Sequence, residues 1–557
     1  MSKLGKLKDL YSRRGTLMKQ LRWMAVKTKP FLPRLIVLVA VELGVLAISL
    51  ACTLINKQLI DRAQPAAGPR VFDARALVIL AVLTLVSIGI HAIGDIVTTL
   101  IRERYTTGIR AEMFRRTVRG NWLAINARHS GDTVTRLTAD VDSVASGIAD
   151  MLPAVIYLAV ELIASFVILS LYDVYLALAA LALGPLCVLA GWMFGGRLQK
   201  YEIALKENNA DQRAFIQESV ANITVLKAFE QQENADRRLN ELRAQRLRLI
   251  RGSQIYKTFI HLTMELLLRG GYLLAFGWGI WQISRGAITY GTMSVFLSLV
   301  GRVQTPMMSM SSLLTRFVDI LASAGRVMEL EKMPPEPDKG ETGLVGRVGV
   351  KLTNVNFGYG EKNVLDGVSM DIAPGKRVGL VGESGIGKTT VARLILALIN
   401  PDQGDVVFYD ETGRRETAGV DTRCLVSYVP QENTLMSGTI RENLLTGNAD
   451  ATDEEMWQVL AAAEADGFVR AAQGGLDARV GERGIGVSEG QAQRIVIARA
   501  LLRKNALLIL DEATASLDMD TENRIMNNLK TLCRERTCLI ITRRPSLLEM
   551  CDEIVRM

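Results

Sequence analysis

The sequence predicts a multi-domain protein in which an all-α membrane domain with six spans precedes an α/β domain. Its 557 residues exceed what one hydrophobic core usually organises. The mean hydropathy of +0.19 lies between the values typical of soluble proteins and of proteins buried wholly in a membrane. The composition changes at Met333–Pro337, where three prolines in four residues predict the end of a helix and a stiff linker.

Positive charge is concentrated at the start of the chain. The net charge is +8, yet residues 1–34 alone carry ten basic residues and one acid, so the remaining chain is nearly neutral. A nucleic-acid surface would spread its charge over a whole domain, and we therefore predict no nucleic-acid partner. Residues 1–34 instead predict a cytoplasmic basic amphipathic elbow that lies on anionic membrane lipid.

Six apolar runs predict membrane-spanning helices, because a bilayer core requires about 20 such residues. Basic residues are concentrated before the first run and in the linkers 99–151 and 195–261, which places both termini in the cytoplasm. The chain is thus predicted to be a multi-pass protein of a prokaryotic cell (inner) membrane. The predicted spans are 35–55, 76–98, 152–172, 174–194, 262–283 and 290–313.

The two basic linkers are long, charged and poor in glycine and proline, which predicts long cytoplasmic extensions of the spanning helices. We expect these extensions to reach a cytoplasmic domain. The alternative is that they are solvated, charged helices without a functional role. From residue 340 onward, short β-branched strands alternate with helices, as in an α/β domain. The predicted domains are the elbow 1–34, the transmembrane domain 35–332, the linker 333–345 and the nucleotide-binding domain 346–557.

The nucleotide site is predicted from a glycine-rich segment between an apolar strand, Val378–Val381, and a helix, Thr390–Leu398. The segment fits G-x-x-x-x-G-K-[ST], whose glycines turn backbone amides toward phosphate oxygens at a helix N-terminus. This pattern predicts a P-loop NTPase domain that binds ATP, with Lys388 on the β- and γ-phosphates and the Thr389 hydroxyl on Mg²⁺. The predicted phosphate-binding residues are Gly382, Glu383, Ser384, Gly385, Ile386, Gly387, Lys388, Thr389 and Thr390.

A second apolar strand, Leu507–Leu510, runs into two carboxylates, Asp511 and Glu512. Sites of α/β proteins lie at the carboxyl ends of strands. We therefore predict that Asp511 holds Mg²⁺ and that Glu512 polarises the attacking water as a general base.

Between these motifs, Val487–Gln491 resembles the LSGGQ signature of ATP-binding-cassette (ABC) transporters. The resemblance extends over the whole chain and implies a half-transporter with the type IV exporter fold and an NTPase domain of ABC type. It also implies coupling helices near Trp122–Arg128 and Asp211–Val220. The implied site residues are Tyr359, which stacks on adenine, Gln431, which links Mg²⁺ to the membrane domain, the signature residues Ser488, Gly490 and Gln491, the X-loop Gly481–Gly484 and the D-loop Ala515–Asp518.

The resemblance further implies a dimer, because family members hold ATP between the P-loop of one subunit and the signature of the other. A second half-transporter is therefore expected, with a heterodimer favoured over a homodimer. The implied function is ATP-driven export of an amphipathic small molecule, peptide or lipid by alternating access. Two alternatives stay open: an ATP-binding regulatory half of a heterodimer, and an importer with the exporter fold.

Two positions depart from the family pattern. Arg543 stands where the family has a histidine after the fourth core strand, and Glu489 replaces a signature glycine. An imidazole can donate or accept a hydrogen bond, whereas a guanidinium only donates and remains charged. We expect Arg543 to pair with Glu512 and slow hydrolysis at this chain's own site, the alternative being that Arg543 points away. Glu489 is expected to be a tolerated variant.

Charged residues within the spans indicate either a polar cargo cavity or ion pairs that fix the helix register. Both alternatives stay open from the sequence. Lys257, His261, Glu265 and Arg269 form one stripe, His91 and Asp95 form another, and Glu42, Glu161 and Arg302 are single charges outside these stripes.

Overall fold

The computed structural model describes residues 3–64, 72–128, 130–360, 362–432, 434–481 and 486–557. It confirms the predicted fold class, a helical domain followed by an α/β domain. The chain forms two compact units: Met1–Arg116 with Ser130–Lys332, and Thr117–His129 with Met333–Met557. The short segment around Trp122 therefore belongs to the second unit, although the sequence places it between two membrane spans.

The first unit is built from long helices, each of which contains a predicted span except for α1. In chain order these helices are α1 (Lys3–Thr28), α2 (Leu32–Ala63), α3 (Ala74–Val118), α7 (Leu152–Tyr172), α8 (Val174–Ala221), α10 (Gln232–Ser284) and α11 (Tyr290–Glu331). Shorter helices α5 (Ser130–Thr135), α6 (Val141–Ser146) and α9 (Ile223–Ala228) connect them, and wider turns at Arg136–Asp140 and Gly147–Met151 flank α6.

Among the described residues, four helical stretches are long and apolar enough to cross a membrane: Gly15–Ala63, Ala74–Val118, Gly131–Tyr172 and Gln232–Ser284. Helices α8 and α11 are 48 and 42 residues long. The count of six spans therefore stays a prediction for these two helices. Helix α3 leaves apolar side chains such as Leu85 and Ile88 exposed, as expected of a surface that contacts lipid tails.

Polar side chains in two connections between predicted spans cap the helix that follows. The side chain of Asp173 accepts a hydrogen bond from the backbone N–H of Leu176 at 3.0 Å, which satisfies a free donor at the start of α8. The same carboxylate accepts a hydrogen bond from the indole of Trp278 at 2.7 Å, so it also holds α10. Thr289 caps α11 in the same manner.

Helix α1 packs against the first unit. Met24 is buried in a cluster with residues of α3 and α11. The Lys27 ammonium lies 2.7 Å from the Glu112 carboxylate and 3.1 Å from that of Glu331. Part of the basic charge predicted to lie on lipid is thus paired within the protein.

The second predicted coupling helix does not form a separate helix at the predicted position. Asp211–Val220 is a continuous part of α8, because the helical period continues unbroken through 211–220, and the separate short helix in this linker is α9, Ile223–Ala228. The chain leaves the helix only at Asn222, where φ is −106° and ψ is 29°.

The second unit contains two main sheets. Their strands are β1 (Val348–Tyr359), β2 (Lys362–Ile372), β3 (Arg377–Val381), β4 (Gln403–Asp410), β5 (Arg415–Thr417), β6 (Val426–Val429), β9 (Leu507–Asp511), β10 (Thr537–Ile541) and β11 (Glu553–Arg556), and β7 (Gly438–Thr439) and β8 (Arg479–Val480) form a separate pair. The five-stranded parallel sheet has the order β11-β3-β10-β9-β6, and the four-stranded antiparallel sheet has the order β2-β1-β4-β5. The helices are α4 (Trp122–Asn126), α12 (Lys388–Ile395), α13 (Ile440–Leu445), α14 (Asp453–Ala462), α15 (Asp466–Ala471), α16 (Glu489–Leu502), α17 (Met519–Leu532) and α18 (Pro545–Leu548).

The parallel sheet is buried on both faces, which explains why β9 and β10 read as continuous apolar runs in the sequence. In this sheet β10 lies between β3 and β9. Parallel strands end at one edge, so the residues after β3, β10 and β9 converge there.

Candidate nucleotide site

The loop after β3 has the shape that its glycines allow. Gly385 and Gly387 have φ values of +82° and +109°, which side chains rarely adopt. A Cβ at Gly387 would lie 2.5 Å from the Leu365 side chain, so no larger residue fits without a shift of the packing. The loop residues Gly382–Gly387 therefore bend closely around the start of α12.

Lys388 is folded over this loop. Its ammonium donates hydrogen bonds to the backbone carbonyls of Gly382 at 2.8 Å and Glu383 at 2.7 Å. Burial lowers the pKa of Lys388, and the nearby charge of Arg543 lowers it further. The buried ammonium of Lys388 is therefore held at the loop, where a negatively charged phosphate would stabilise its charge.

Asp511, at the end of β9, has the environment of a cation ligand. It is 1% exposed, the Tyr428 hydroxyl donates a hydrogen bond to Oδ2 at 3.3 Å, and Oδ1 has no hydrogen-bond partner in the described part of the chain. Burial raises the pKa of Asp511, while hydrogen bonds from Thr389 and Tyr428 oppose that shift. A buried carboxylate oxygen without a partner beside a hydroxyl fits the oxygen ligands that Mg²⁺ prefers.

Glu512 follows directly, and its backbone conformation is unusual. Its φ is +46°, a left-handed value that costs a non-glycine residue on the order of 1–3 kcal/mol. Its N–H donates a hydrogen bond to the Ile541 carbonyl at the end of β10 at 2.9 Å, which holds the turn. The strained turn aims the side chain of Glu512 toward the residues that follow β10.

Both carboxylate oxygens of Glu512 have partners. The Arg543 Nε lies 3.2 Å from Oε1, and the Gln431 amide nitrogen donates a hydrogen bond to Oε2 at 3.1 Å. The structure thus brings the three predicted catalytic residues together, with Arg543 turned toward Glu512. A cavity of about 190 Å³ next to them is lined by Glu512, Thr514, Ala515, Thr542, Arg543 and Arg544.

Sequence reasoning missed the role of Arg544. Its guanidinium pairs with Glu522 of α17 at 2.6 Å and donates hydrogen bonds to the carbonyls of Ala515 at 3.0 Å and Leu517 at 3.4 Å. Arg544 therefore holds the predicted D-loop against the end of β10. The sequence shows a second arginine, Arg544, after β10. Nothing in the sequence of α17 marks Glu522 as its partner.

The signature residues form the start of α16. Ser488 and Gln491 make a capping box: the Gln491 N–H donates to the Ser488 hydroxyl at 3.3 Å, and the Ser488 N–H donates to the Gln491 side chain at 2.9 Å. Within the described residues, no hydrogen bond or ion pair joins Ser488, Gly490 or Gln491 to the phosphate loop. Glu489 is exposed in the first turn, where a carboxylate is favourable to the helix dipole.

The remaining predicted positions are Tyr359 and the X-loop. Tyr359 ends β1, packs edge-on against Phe357 with ring centroids 4.9 Å apart, and accepts a hydrogen bond from Arg393 at 2.9 Å. Residues 482–484 of the X-loop lie outside the described residues.

The charges in the membrane helices are largely paired. Glu161 and Arg302, single charges in the sequence, form an interhelical ion pair: Arg302 of α11 lies 3.5 Å from Glu161 of α7 and donates a hydrogen bond to Ser49 of α2 at 2.5 Å. This contact fits the alternative in which ion pairs fix the helix register. Lys257 likewise pairs with Glu202 across α10 and α8 at 2.8 Å.

Substitution of Tyr428 by phenylalanine tests the role of Asp511. Loss of the hydroxyl removes the donor that orients the buried carboxylate. Because this bond is long, we expect the Mg²⁺ concentration for half-maximal ATP binding to rise by about fivefold, below the usual loss for such supporting residues. Isothermal titration with and without Mg²⁺ measures this, and an unchanged Mg²⁺ requirement would contradict the assignment.

Comparison with known proteins agrees with this geometry. Residues 35–307 match the family described as ABC transporter transmembrane region, and residues 365–515 match the family described as ABC transporter. A putative multidrug export ATP-binding/permease protein of Staphylococcus aureus is 30% identical over 76% of this chain and 74% of its own length. ABC transporter B family member 4 of Dictyostelium discoideum is 28% identical over 85% of this chain, which spans 62% of that longer protein.

A solved structure shares the fold of the whole chain. The structure of a bacterial Atm1-family ABC exporter with ATP bound superposes with a TM-score of 0.78 and 22% identity, covering 94% of this chain and 93% of that one. At this level of sequence identity, the similarity shows a shared fold and nothing more.

Proposed function

Because this chain belongs to the ABC transporter family, we propose that it is one half of an ATP-driven exporter. The observation that carries the proposal is the convergence of the phosphate loop, Asp511 and Glu512 at one sheet edge of a domain fused to membrane-crossing helices. The relative named for multidrug export supports the outward direction. The proposed cargo is an amphipathic small molecule, peptide or lipid. A second half-transporter would supply the signature that completes the site.

Each residue of the site has a distinct task in this proposal. Lys388 exchanges the carbonyls of Gly382 and Glu383 for the β- and γ-phosphates of ATP, and Tyr359 stacks on adenine. Thr389 and Asp511, with Gln431, would hold Mg²⁺, which neutralises phosphate charge. Glu512 takes a proton from the attacking water.

The pair between Arg543 and Glu512 slows that proton transfer. The Glu512 carboxylate is paired with the Arg543 guanidinium and accepts a hydrogen bond from Gln431, so its oxygens point at these partners rather than at water. We therefore expect hydrolysis at this site to be slower than an unpaired glutamate would allow.

The same pair favours a second candidate function, a regulatory half that binds ATP and holds a more active partner subunit. The ATPase rate of this chain, purified alone in lipid vesicles, separates the two. Sustained turnover supports the exporter half, and binding without turnover supports the regulatory half.

Transport itself is tested in inside-out membrane vesicles with a fluorescent amphipathic dye. We expect ATP to drive dye accumulation, and Lys388→Met to remove the ATP-dependent part, because the ammonium that binds phosphate is lost. Lys376→Met is the matched control, since Lys376 is an exposed lysine just before β3. Equal accumulation with Lys388→Met and the wild-type chain would contradict the proposal.

A further inference from the structure

Three side chains of the second unit form a chain of contacts from the adenine side of the site to α4. Arg393 of α12 donates a hydrogen bond from Nη1 to the Tyr359 hydroxyl at 2.9 Å. Its guanidinium also lies 5.0 Å from the centroid of the Trp122 ring, within the range of cation–π attraction. All three side chains are half-buried, so water screens these contacts less than on an open surface.

Trp122 is firmly placed in the second unit. It begins α4, which Asn121 caps by accepting hydrogen bonds from the N–H groups of Leu123 at 2.9 Å and Ala124 at 3.4 Å. Trp122 and Leu123 pack against the same apolar cluster as Tyr359. A movement of Tyr359 or Arg393 would therefore press on the close-packed side chain of Trp122.

The segment with α4 is also bound to the interdomain linker. The Asn121 N–H donates to the Pro334 carbonyl at 2.9 Å, and the Glu336 N–H donates to the Arg119 carbonyl at 2.9 Å. The Glu336 carboxylate in turn pairs with Arg423, which also holds the carbonyls of Leu396 and Ala397 just after α12. The C-terminal end of α12 is thus connected to this segment twice, directly through Arg393 and indirectly through Arg423 and Glu336.

From these contacts we propose that Arg393 is a positioning residue that couples adenine occupancy at Tyr359 to Trp122 of α4. A nucleotide base that stacks on Tyr359 fixes the ring and its hydroxyl, and Arg393 then holds a single orientation over Trp122. Only three residues separate the end of α3 from the start of α4, so a change in the position of α4 is passed through the backbone to the membrane helix α3. This inference rests on the proposed function, because coupling requires that ATP binding drives the membrane helices.

The test measures the tryptophan emission of the full chain in lipid vesicles during titration with AMP-PNP, a non-hydrolysable ATP analogue. The Trp122 signal is the change in emission on AMP-PNP binding in the wild-type chain minus the change in Trp122→Phe. We expect Arg393→Met to raise the Kd for AMP-PNP about fivefold, the effect of one lost hydrogen bond. At saturating AMP-PNP, the Trp122 signal should fall by at least half, which a purely structural contribution to affinity would not cause.

Two further variants control for general damage. Arg393→Lys keeps a cation and a donor and should recover most of the Trp122 signal. Arg470→Met is the matched control, because Arg470 makes the same kind of contact with Trp457, at 4.1 Å from its ring centroid, and should leave both the Kd and the signal unchanged. A full Trp122 signal in saturated Arg393→Met, or no Trp122 signal in the wild-type chain, would overturn the inference. Dye transport that fails while the Trp122 signal persists would instead contradict the proposed function alone.

Discussion

Replacement of Arg543 by histidine is expected to raise the ATPase rate about tenfold, equivalent to about 1.4 kcal/mol in the activation barrier. Half of the Arg543 side chain is exposed, so its ion pair with Glu512 contributes at most about 1 kcal/mol. The remainder comes from the imidazole, which can accept as well as donate a hydrogen bond beside the γ-phosphate. Steady-state phosphate release in lipid vesicles measures the change.

The control for this prediction is the same substitution in a chain that carries Glu512→Gln. If Arg543 acts mainly through the carboxylate, histidine brings a much smaller gain there, because the neutral amide forms no ion pair with the guanidinium and only the contribution of the imidazole beside the γ-phosphate remains. An ATPase rate that is unchanged in Arg543→His would show that Arg543 does not restrain this site. The same gain with and without the Glu512 carboxylate would show that it acts by another route.

The Glu512→Gln substitution itself, made in the Arg543→His chain, should lower the ATPase rate about 10²- to 10⁴-fold, the usual contribution of a general base. ATP and Mg²⁺ binding should remain, because Lys388, Thr389 and Asp511 are untouched. The side chains have nearly equal volume, so the left-handed turn at position 512 should persist. Rapid-quench hydrolysis together with equilibrium ATP binding separates these effects.

A loss of ATP binding equal to the loss of rate would contradict the general-base assignment. It would instead indicate that Glu512 supports the phosphate loop or the metal site. Thr514→Val is a useful comparison, because Thr514 lines the same cavity and its hydroxyl contacts Glu522 rather than Glu512.

Much of the fold was predictable because apolar periodicity and glycine positions are local properties of the sequence. The runs 152–172 and Val378–Val381 coincide with α7 and with β3. The phosphate loop was predictable for the same reason, since Gly385 and Gly387 adopt backbone angles that few other residues allow. The site after β10 was predictable in part, because the resemblance implies that the residue in the position of Arg543 lies beside Glu512.

What the sequence could not predict depends on contacts between distant residues. The pair between Glu161 and Arg302 requires the packing of α7 against α11, and the anchor of Arg544 on Glu522 requires the position of α17. The end of α8 and the separate helix α9 were not predicted, because a helix end set by Asn222 leaves little periodic signal. The contact of Arg393 with Trp122 joins residues from two parts of the chain that the linker contacts bring together.

Hydrolysis at this site is proposed to drive transport, and one measurement tests this coupling directly. ATPase rate and uptake of the amphipathic dye are recorded together in vesicles containing the purified chain, for the wild type and for Arg543→His. We predict that both rates rise by the same factor, so that the amount of dye moved per ATP stays constant. A rise in ATPase rate without a rise in transport, or no hydrolysis in either chain, would contradict it.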